Sequence, residues 1–192
     1  MAVQAGDEVH NPLTGSFLRI LQTDRETAGL GFTLEVTSPV GAGPDVPEHF
    51  HLDWTERFII VSGWARYRLD GHERAAESGD TVVFPAGHKH VHPWNAGDVD
   101  LVYRQETRFP LPCPQAIQDT LGVFGTLYRM AARGETNARG LPKNPLQLAA
   151  TLRVLVRHGG FDAAIPVPVQ KLAALTLGAL AERLGYRAVD DA

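Results

Sequence analysis

The sequence has a single cysteine and lacks a run of apolar residues long enough to cross a membrane. Cys113 cannot form an internal disulfide, so the fold does not depend on an oxidising compartment. The longest uncharged stretch of helical character, residues 172–181, is about half of a membrane span. Residues 1–10 lack the basic and then apolar layout of a secretory signal. We therefore expect a soluble, cytoplasmic protein that does not bind a membrane.

Basic residues are neither in excess nor clustered. The 22 acidic and 18 basic residues give a formal charge of −4. Because nucleic-acid binders normally carry a basic surface, we expect no nucleic-acid partner. Apolar residues make up 44% of the chain and charged residues 21%, which excludes a disordered chain and indicates a globular protein with a core.

The first 110 residues have the pattern of short strands separated by turns. Residues 30–37 alternate between large apolar and small or polar side chains, as in a strand with one buried face. Glycine-rich turns separate the other predicted strands, which lie at residues 17–21, 57–61, 64–69, 81–84, 90–94 and 101–106. Many short strands of this kind predict a mainly β sandwich or barrel.

After Pro110 the apolar residues recur at helical spacing. A first helix is predicted around residues 117–128. A second is predicted from Pro145 to about His158, because Asn144 suits the N-cap and Pro145 the first helical position. A third is predicted at residues 167–184 and closes at Gly185. The chain is therefore predicted to be a β domain followed by a helical extension.

Six of the eight histidines lie between residues 49 and 92. His49 and His51 lie two apart on a predicted strand, so both imidazoles point into the same space, and Glu56 follows closely. Buried together, such groups are costly unless something binds them, and a divalent metal is the usual solution. Three further histidines, at positions 88, 90 and 92, share one face of another strand. Either group alone is typical of a solvated surface; the two together favour a metal site.

The spacing of these residues resembles two motifs of the cupins. The first motif is matched by Gly43, His49, His51, Glu56 and Gly63. The second is matched by Gly79, Pro85, Gly87 and His90, with Asn95 one residue beyond the family position. The chain is similar to small bacterial single-domain cupins with a helical tail. The resemblance implies a cupin barrel (a double-stranded β-helix or jelly roll) at residues 7–110 and a helical extension at residues 111–186.

The resemblance also implies a set of metal ligands. The family's ligand positions correspond to His49, His51, Glu56 and His90, which would hold one divalent ion. Imidazole and carboxylate donors suit iron, manganese, nickel, copper and zinc alike. His92 is expected to face inward beside the ligands or the substrate, whereas solvent exposure is favoured for His88.

Strand parity from Glu56 predicts which other side chains line a pocket. Phe58 and Ile60 share its face, and Tyr67 on the next strand is expected either to line the pocket or to be an ordinary core tyrosine. Such a wall suits a small organic ligand. With Glu56 as a general base and Tyr67 as a second catalytic candidate, we expect a metal-dependent oxygenase or isomerase/cyclase acting on a small oxygenated or aromatic molecule. The alternative is a non-catalytic protein that binds a small molecule or a metal.

The helical extension carries more apolar residues than one helix face requires. The outward-facing side chains of Ile59 and Val61 offer a surface on the barrel. We therefore expect the helices to pack on the barrel and on one another, and to complete a homodimer, the commonest oligomer.

Overall fold

The computed structural model describes residues 2–190, which form two antiparallel sheets followed by a mainly helical segment. The strands are β1 (Glu8–His10), β2 (Phe17–Gln22), β3 (Gly31–Ser38), β4 (His49–His51), β5 (Thr55–Ser62), β6 (Trp64–Leu69), β7 (His72–Glu77), β8 (Thr81–Phe84), β9 (His90–Asn95), β10 (Leu101–Arg108) and β11 (Gly160–Asp162). The helices are α1 (Pro114–Ala132), α2 (Pro145–Arg157), α3 (Val167–Ala173) and α4 (Ala179–Arg183).

The two sheets have the strand orders β1-β2-β3-β10-β5-β8 and β11-β4-β9-β6-β7. Between β3 and β10 the chain passes repeatedly from one sheet to the other, because β4, β6, β7 and β9 belong to one sheet and β3, β5, β8 and β10 to the other; in this range only β6 and β7 follow each other in the same sheet. Side chains from both sheets fill a common core that includes Leu34, Phe58, Ala65, Ala76 and Phe84. The predicted jelly-roll barrel with a helical extension is confirmed.

Strand β10 lies inside the larger sheet, and its side chains alternate between buried and more exposed positions. Leu101, Tyr103, Gln105 and Thr107 are all buried on one face, whereas the side chains between them are more exposed. Two of these buried residues are polar, which a core strand tolerates only when their hydrogen bonds are satisfied. Both contact Glu56, so this strand supplies both core packing and polar contacts to the site.

Gly63, the last residue of the first motif, lies in the tight turn between β5 and β6. Its φ is +88°, a backbone conformation that residues other than glycine rarely adopt. A Cβ atom there would lie 2.8 Å from Asp100 O and 2.9 Å from Leu101 Cα. The turn therefore requires glycine both for its backbone conformation and for its contact with β10.

The predicted helices are present, with one difference. Asn144 caps α2, and its side chain accepts hydrogen bonds from Leu146 N and Gln147 N, a contribution of about 1 kcal/mol to stability. The third predicted helix ends near Gly185 as expected, but a π-helical turn at Ala174–Gly178 separates α3 from α4. Gly178 lies in this turn, and a Cβ there would be only 2.9 Å from Ala149 O of α2. Among the described helices, none is both long and apolar enough to cross a lipid bilayer.

The helical extension reaches the barrel at a different place from the one expected. Val61 on the outer face remains 47% exposed, so the prediction that the helices cover this face near Ile59 and Val61 is wrong. The extension instead contains β11, which pairs with β4 at the edge of the smaller sheet. This short strand brings the helices to the end of the barrel that carries the histidines.

Candidate metal centre

Strands β4 and β9 position three of the candidate ligands. The ring centroids of His49 and His51 are 5.2 Å apart, so the two imidazoles share one space as predicted. His49 lies opposite His90 in the β4–β9 pair, and their ring centroids are 4.4 Å apart. Backbone carbonyls hold two of the rings, because His49 Nδ1 lies 2.8 Å from Pro47 O and His90 Nδ1 lies 2.8 Å from His88 O. These contacts leave the Nε2 atoms of both rings free to bind a metal.

Glu56 projects from β5 toward these imidazoles and is almost completely buried. Its Oε2 atom is 3.3 Å from His90 Nε2 and 3.6 Å from His51 Nε2. Its Oε1 atom accepts a hydrogen bond from Gln105 Nε2 at 3.0 Å. The carboxylate is therefore held by β10 through one oxygen and presents the other oxygen to the histidines.

The four residues meet the requirements for holding one metal ion. One donor atom from each of His49, His51, Glu56 and His90 lies within 4.8 Å of every other. Two buried nitrogens of this cluster, His51 Nδ1 and His90 Nε2, have no hydrogen-bond partner within residues 2–190. Unsatisfied buried polar atoms are costly, and a divalent cation beside a nearby carboxylate would compensate for them. The cluster could therefore hold one divalent ion.

The electrostatics of the cluster favour the protonation states that a metal requires. Burial and the neighbouring histidines lower the pKa of His49 well below its usual value. Burial is also the main cause that lowers the pKa of His51 to about 4, although the charge of Glu56 opposes the shift. For Glu56, burial alone would raise the pKa, but the nearby imidazoles of His51, His92 and His90 lower it well below its usual value. A neutral imidazole and an ionised carboxylate are the forms that bind metals.

The two remaining histidines of the second motif have different surroundings. His92 is buried, its Nε2 lies 2.9 Å from Glu56 Oε2, and its ring is parallel to that of His90 at 5.6 Å. His88 is exposed, and its Nδ1 lies 2.7 Å from Asp70 Oδ2. His92 thus faces the cluster, and His88 lies on the surface.

The structure places the other predicted pocket residues in the core instead. Phe58 and Ile60 are fully buried, and Phe58 packs against the rings of Phe84 and His92. Tyr67 is half-buried, and the centroid of its ring lies 5.8 Å from that of Phe84. Phe84 in turn stacks on His90 at 4.5 Å, so it separates Tyr67 from the cluster. Phe58, Ile60 and Tyr67 do not line the cavity described next.

A cavity of about 170 Å³ lies between the histidine cluster and the helical extension. We call it the apolar chamber. Its floor includes His49, His51, Trp54, Glu56 and His92. Its walls include Phe124 and Leu127 of α1, Leu148 and Leu152 of α2, Phe161 of β11, and Ile165. The helical extension therefore supplies most of the walls of this cavity, whereas strand parity predicted a pocket lined by the barrel strands.

Some residues of the site were not predicted from the sequence. Gln105 and Thr107 look like ordinary strand residues, but both contact Glu56. Trp54 stacks on His51 at 4.4 Å with an interplanar angle of 18°. His158, the last histidine, lines the chamber, and its Nε2 lies 2.7 Å from Asp119 Oδ2. Because His158 and Asp119 are 39 positions apart in the sequence, no local pattern indicates that their side chains are in contact.

Comparison with known proteins agrees with this geometry. Residues 35–103, which include both histidine motifs, match the family model of the cupin domain. Residues 35–103 are therefore similar to a cupin domain. The match to the cupin model includes all four candidate ligands and ends within β10, before the helical extension begins. Among curated proteins, none matches the chain.

Several solved structures are similar to the cupin domain. One is a predicted oxalate decarboxylase from Thermotoga maritima, at 17% identity and a TM-score of 0.47, covering 57% of this chain and 98% of that one. A second is a sugar phosphate isomerase from a cupin superfamily of Silicibacter pomeroyi DSS-3, at 19% identity and a TM-score of 0.45, covering 53% and 70%. A third is the Cupin_2 domain of an XRE family transcriptional regulator from Enterobacter cloacae, at 18% identity and a TM-score of 0.43, covering 50% and 98%.

Proposed function

We propose that this protein belongs to the cupin superfamily and is a metal-dependent enzyme that acts on a small oxygenated or aromatic molecule, as an oxygenase or an isomerase/cyclase. The observation that carries the proposal is the buried cluster of His49, His51, Glu56 and His90, which opens into a cavity of about 170 Å³. A cluster that only stabilised the fold would not need a cavity beside it. A site that binds a metal and a substrate together requires both.

The four ligands determine the charge of the loaded site. Three neutral imidazoles and one carboxylate leave about one net positive charge on a divalent ion, so the site favours an anionic oxygen ligand. When bound, the ion would act as a Lewis acid that polarises this oxygen donor. Iron, manganese, nickel, copper and zinc all suit the donor set.

The chain itself supplies groups that can hold a proton beside the ligand. His92 Nε2 lies 2.9 Å from Glu56 Oε2, and both side chains border the chamber. In this proposal Glu56 accepts a proton from the bound molecule, with His92 as the neighbouring donor or acceptor. Gln105 keeps the carboxylate oriented through its hydrogen bond to Oε1. A pair of this kind supports proton transfer in an isomerase or cyclase reaction.

The second candidate is a non-catalytic protein that binds a small molecule. The walls of the apolar chamber favour it, since they are formed mainly by aliphatic and aromatic side chains rather than by proton-transfer groups. Such a protein would keep its ligand unchanged at the metal. The fold alone does not decide between the two candidates.

One experiment distinguishes these functions. Metal-loaded wild-type protein and the Glu56→Gln variant are incubated with a metabolite extract, which is then compared by untargeted mass spectrometry. An enzyme consumes one compound and forms a product only in the wild-type sample. A product of unchanged mass indicates an isomerase or cyclase, and a product with added oxygen indicates an oxygenase. A compound that disappears from solution and is recovered unchanged after denaturation supports the binding protein and contradicts the enzyme.

A further inference from the structure

Most side chains on the walls of the apolar chamber are aliphatic or aromatic, and two of the polar ones already have partners. His158 Nε2 lies 2.7 Å from Asp119 Oδ2, and Asp162 accepts a hydrogen bond from Arg139 at 3.2 Å. No lysine or arginine is among the described residues that line the chamber. A phosphate bound there would meet no cation, and most hydroxyls of a sugar would face aliphatic or aromatic side chains and lose their hydrogen bonds to water, which is costly. The walls therefore select against polyhydroxylated and phosphorylated molecules.

The size of the chamber limits the apolar group that it can hold. Its volume is about 170 Å³, and an apolar cavity of about 150 Å³ in another protein stays dry and binds benzene. One aromatic ring or a short alkyl chain therefore fits, while a long acyl chain does not. The aromatic side chains Phe124 and Phe161 and the aliphatic side chains Leu127, Leu148 and Leu152 are chemically matched to such a group.

The floor of the chamber is different from its walls. His49, His51 and Glu56 meet there, so an oxygen-bearing group at one end of a ligand would reach the metal while the apolar body lies against the helices. We infer that the substrate is a small anion with an oxygen-donor head and an apolar body no larger than about one ring or a short alkyl chain. This inference rests on the proposed function, because it assigns the head group to the metal.

The test compares two ladders of probe molecules on protein loaded with one equivalent of Co²⁺. The first ladder is acetate, butyrate, hexanoate and octanoate, and the second is the primary alcohols of the same chain lengths. Calorimetry gives the affinity, and the Co²⁺ absorption spectrum reports whether the probe reaches the metal. Within each ladder, affinity is expected to rise about fourfold per methylene up to the six-carbon probe and then to stop rising.

Two variants test whether the helices provide the apolar wall. Leu152→Gln is expected to weaken hexanoate binding at least tenfold while leaving acetate binding within about twofold, because only the longer probe reaches this wall. The matched control is Leu111→Gln, which changes the same residue type at a position that is 72% exposed and does not line the chamber, and it should alter neither affinity. If Leu152→Gln fails to fold, the wild-type ladders alone still decide the question.

The possible outcomes separate the two proposals. A rising affinity with chain length, together with a spectral change for carboxylates, supports the inference. Equal affinity for acetate and hexanoate, or tighter binding of the polyhydroxylated anion gluconate than of hexanoate, would overturn it and leave the metal-dependent function standing. If carboxylates and alcohols of equal length bind equally and the spectrum does not change, the head group does not reach the metal. That result contradicts both the proposed function and the assignment of the head group.

Discussion

Gly160 lies opposite His51 in the antiparallel pair of β11 and β4. Beside this pair, Leu52 N donates a hydrogen bond to Gly159 O at 3.0 Å, and Asp162 lies opposite His49. The strand that carries two candidate ligands is therefore hydrogen-bonded to the helical extension rather than left as an open edge. The same extension forms the walls of the apolar chamber. The pairing of β11 with β4 therefore joins the strand that carries the candidate metal ligands to the segment that forms the cavity.

The first prediction separates the histidines of the second motif by metal content. His90→Ala should lose the metal, because His90 Nε2 is buried within the ligand cluster without a hydrogen-bond partner among the described residues. His88→Ala should retain close to one divalent ion per chain, since His88 is on the surface beside Asp70. Elemental analysis of untagged protein purified without a chelator measures both. Metal lost from His88→Ala and kept in His90→Ala would contradict the assignment.

His92→Ala is a further variant in the same series. Its ring faces Glu56 but lies outside the four-residue ligand cluster. The variant should keep the metal and change ligand affinity or activity. Metal loss from this variant as large as that from His90→Ala would show that His92 is also a ligand.

The second prediction concerns the stability of the metal-free protein as the pH falls. The unfolded chain binds a proton at His51 with a pKa of about 6.5, whereas burial lowers the pKa in the folded state to about 4. Between these two values the unfolded state holds a proton that the folded state lacks, so stability decreases as the pH falls. The loss for this group alone is about 3 kcal/mol across the window. His49 acts in the same direction, because burial also lowers its pKa.

Urea unfolding of the chelated protein at several pH values from 7.5 to 4 measures this dependence. His51→Gln should flatten the curve between pH 6.5 and 4, because the titrating group is gone. His10→Gln is the control, since His10 is exposed at the end of β1, and it should leave the slope unchanged. A stability that is constant over this window in the wild-type protein would contradict the lowered pKa of His51.

A strand can be predicted from the sequence where apolar and polar side chains alternate along the strand itself. Strand β3 was predictable because Phe32, Leu34 and Val36 are buried at every second position. Strand β7 was not, because five of its six residues are exposed and it carries no apolar stripe. Strand β11 was also missed, since three residues after a helix hold too little pattern, and their pairing with β4 is a long-range contact.

The same distinction applies to the site. The spacing of His49, His51, Glu56 and His90 matches a known motif, so the sequence could predict that these four residues converge. No local pattern indicates that Gln105 would bond to Glu56 across the sheet. Strand parity placed Phe58 on the same face of β5 as Glu56, where both side chains are buried, but it could not show that the cavity is lined mainly by residues of the helical extension.

The third prediction tests Gln105 as a positioning residue for Glu56. Gln105→Leu removes the hydrogen bond to Glu56 Oε1, so the carboxylate loses its orientation toward the histidines. Metal affinity should fall about 10-fold, within the usual range for groups that hold a metal ligand. Competition with a chelator of known affinity measures the change. Gln4→Leu, at an exposed position, is the control; equal affinities in both variants would exclude a positioning role for Gln105.

The last prediction concerns the oligomeric state. On the helical segment at residues 167–184, Leu172, Leu175 and Leu180 are 63%, 70% and 47% exposed. Solvation of three leucines on one short segment is unfavourable, and a second copy of the chain would cover them most simply through a twofold axis. We therefore expect a dimer of twice the 20.9 kDa chain mass by light scattering. Leu175→Glu should convert it to a monomer by placing a charge in the interface.

The control for this variant is Leu13→Glu, which introduces the same charge at another exposed leucine, 48% exposed and far from the helices in sequence. It should remain dimeric. Metal content is measured in parallel, because an unchanged value in Leu175→Glu shows that the variant is folded. A wild-type protein that is monomeric at high concentration, or a dimer that survives Leu175→Glu, would show that these leucines do not form the interface.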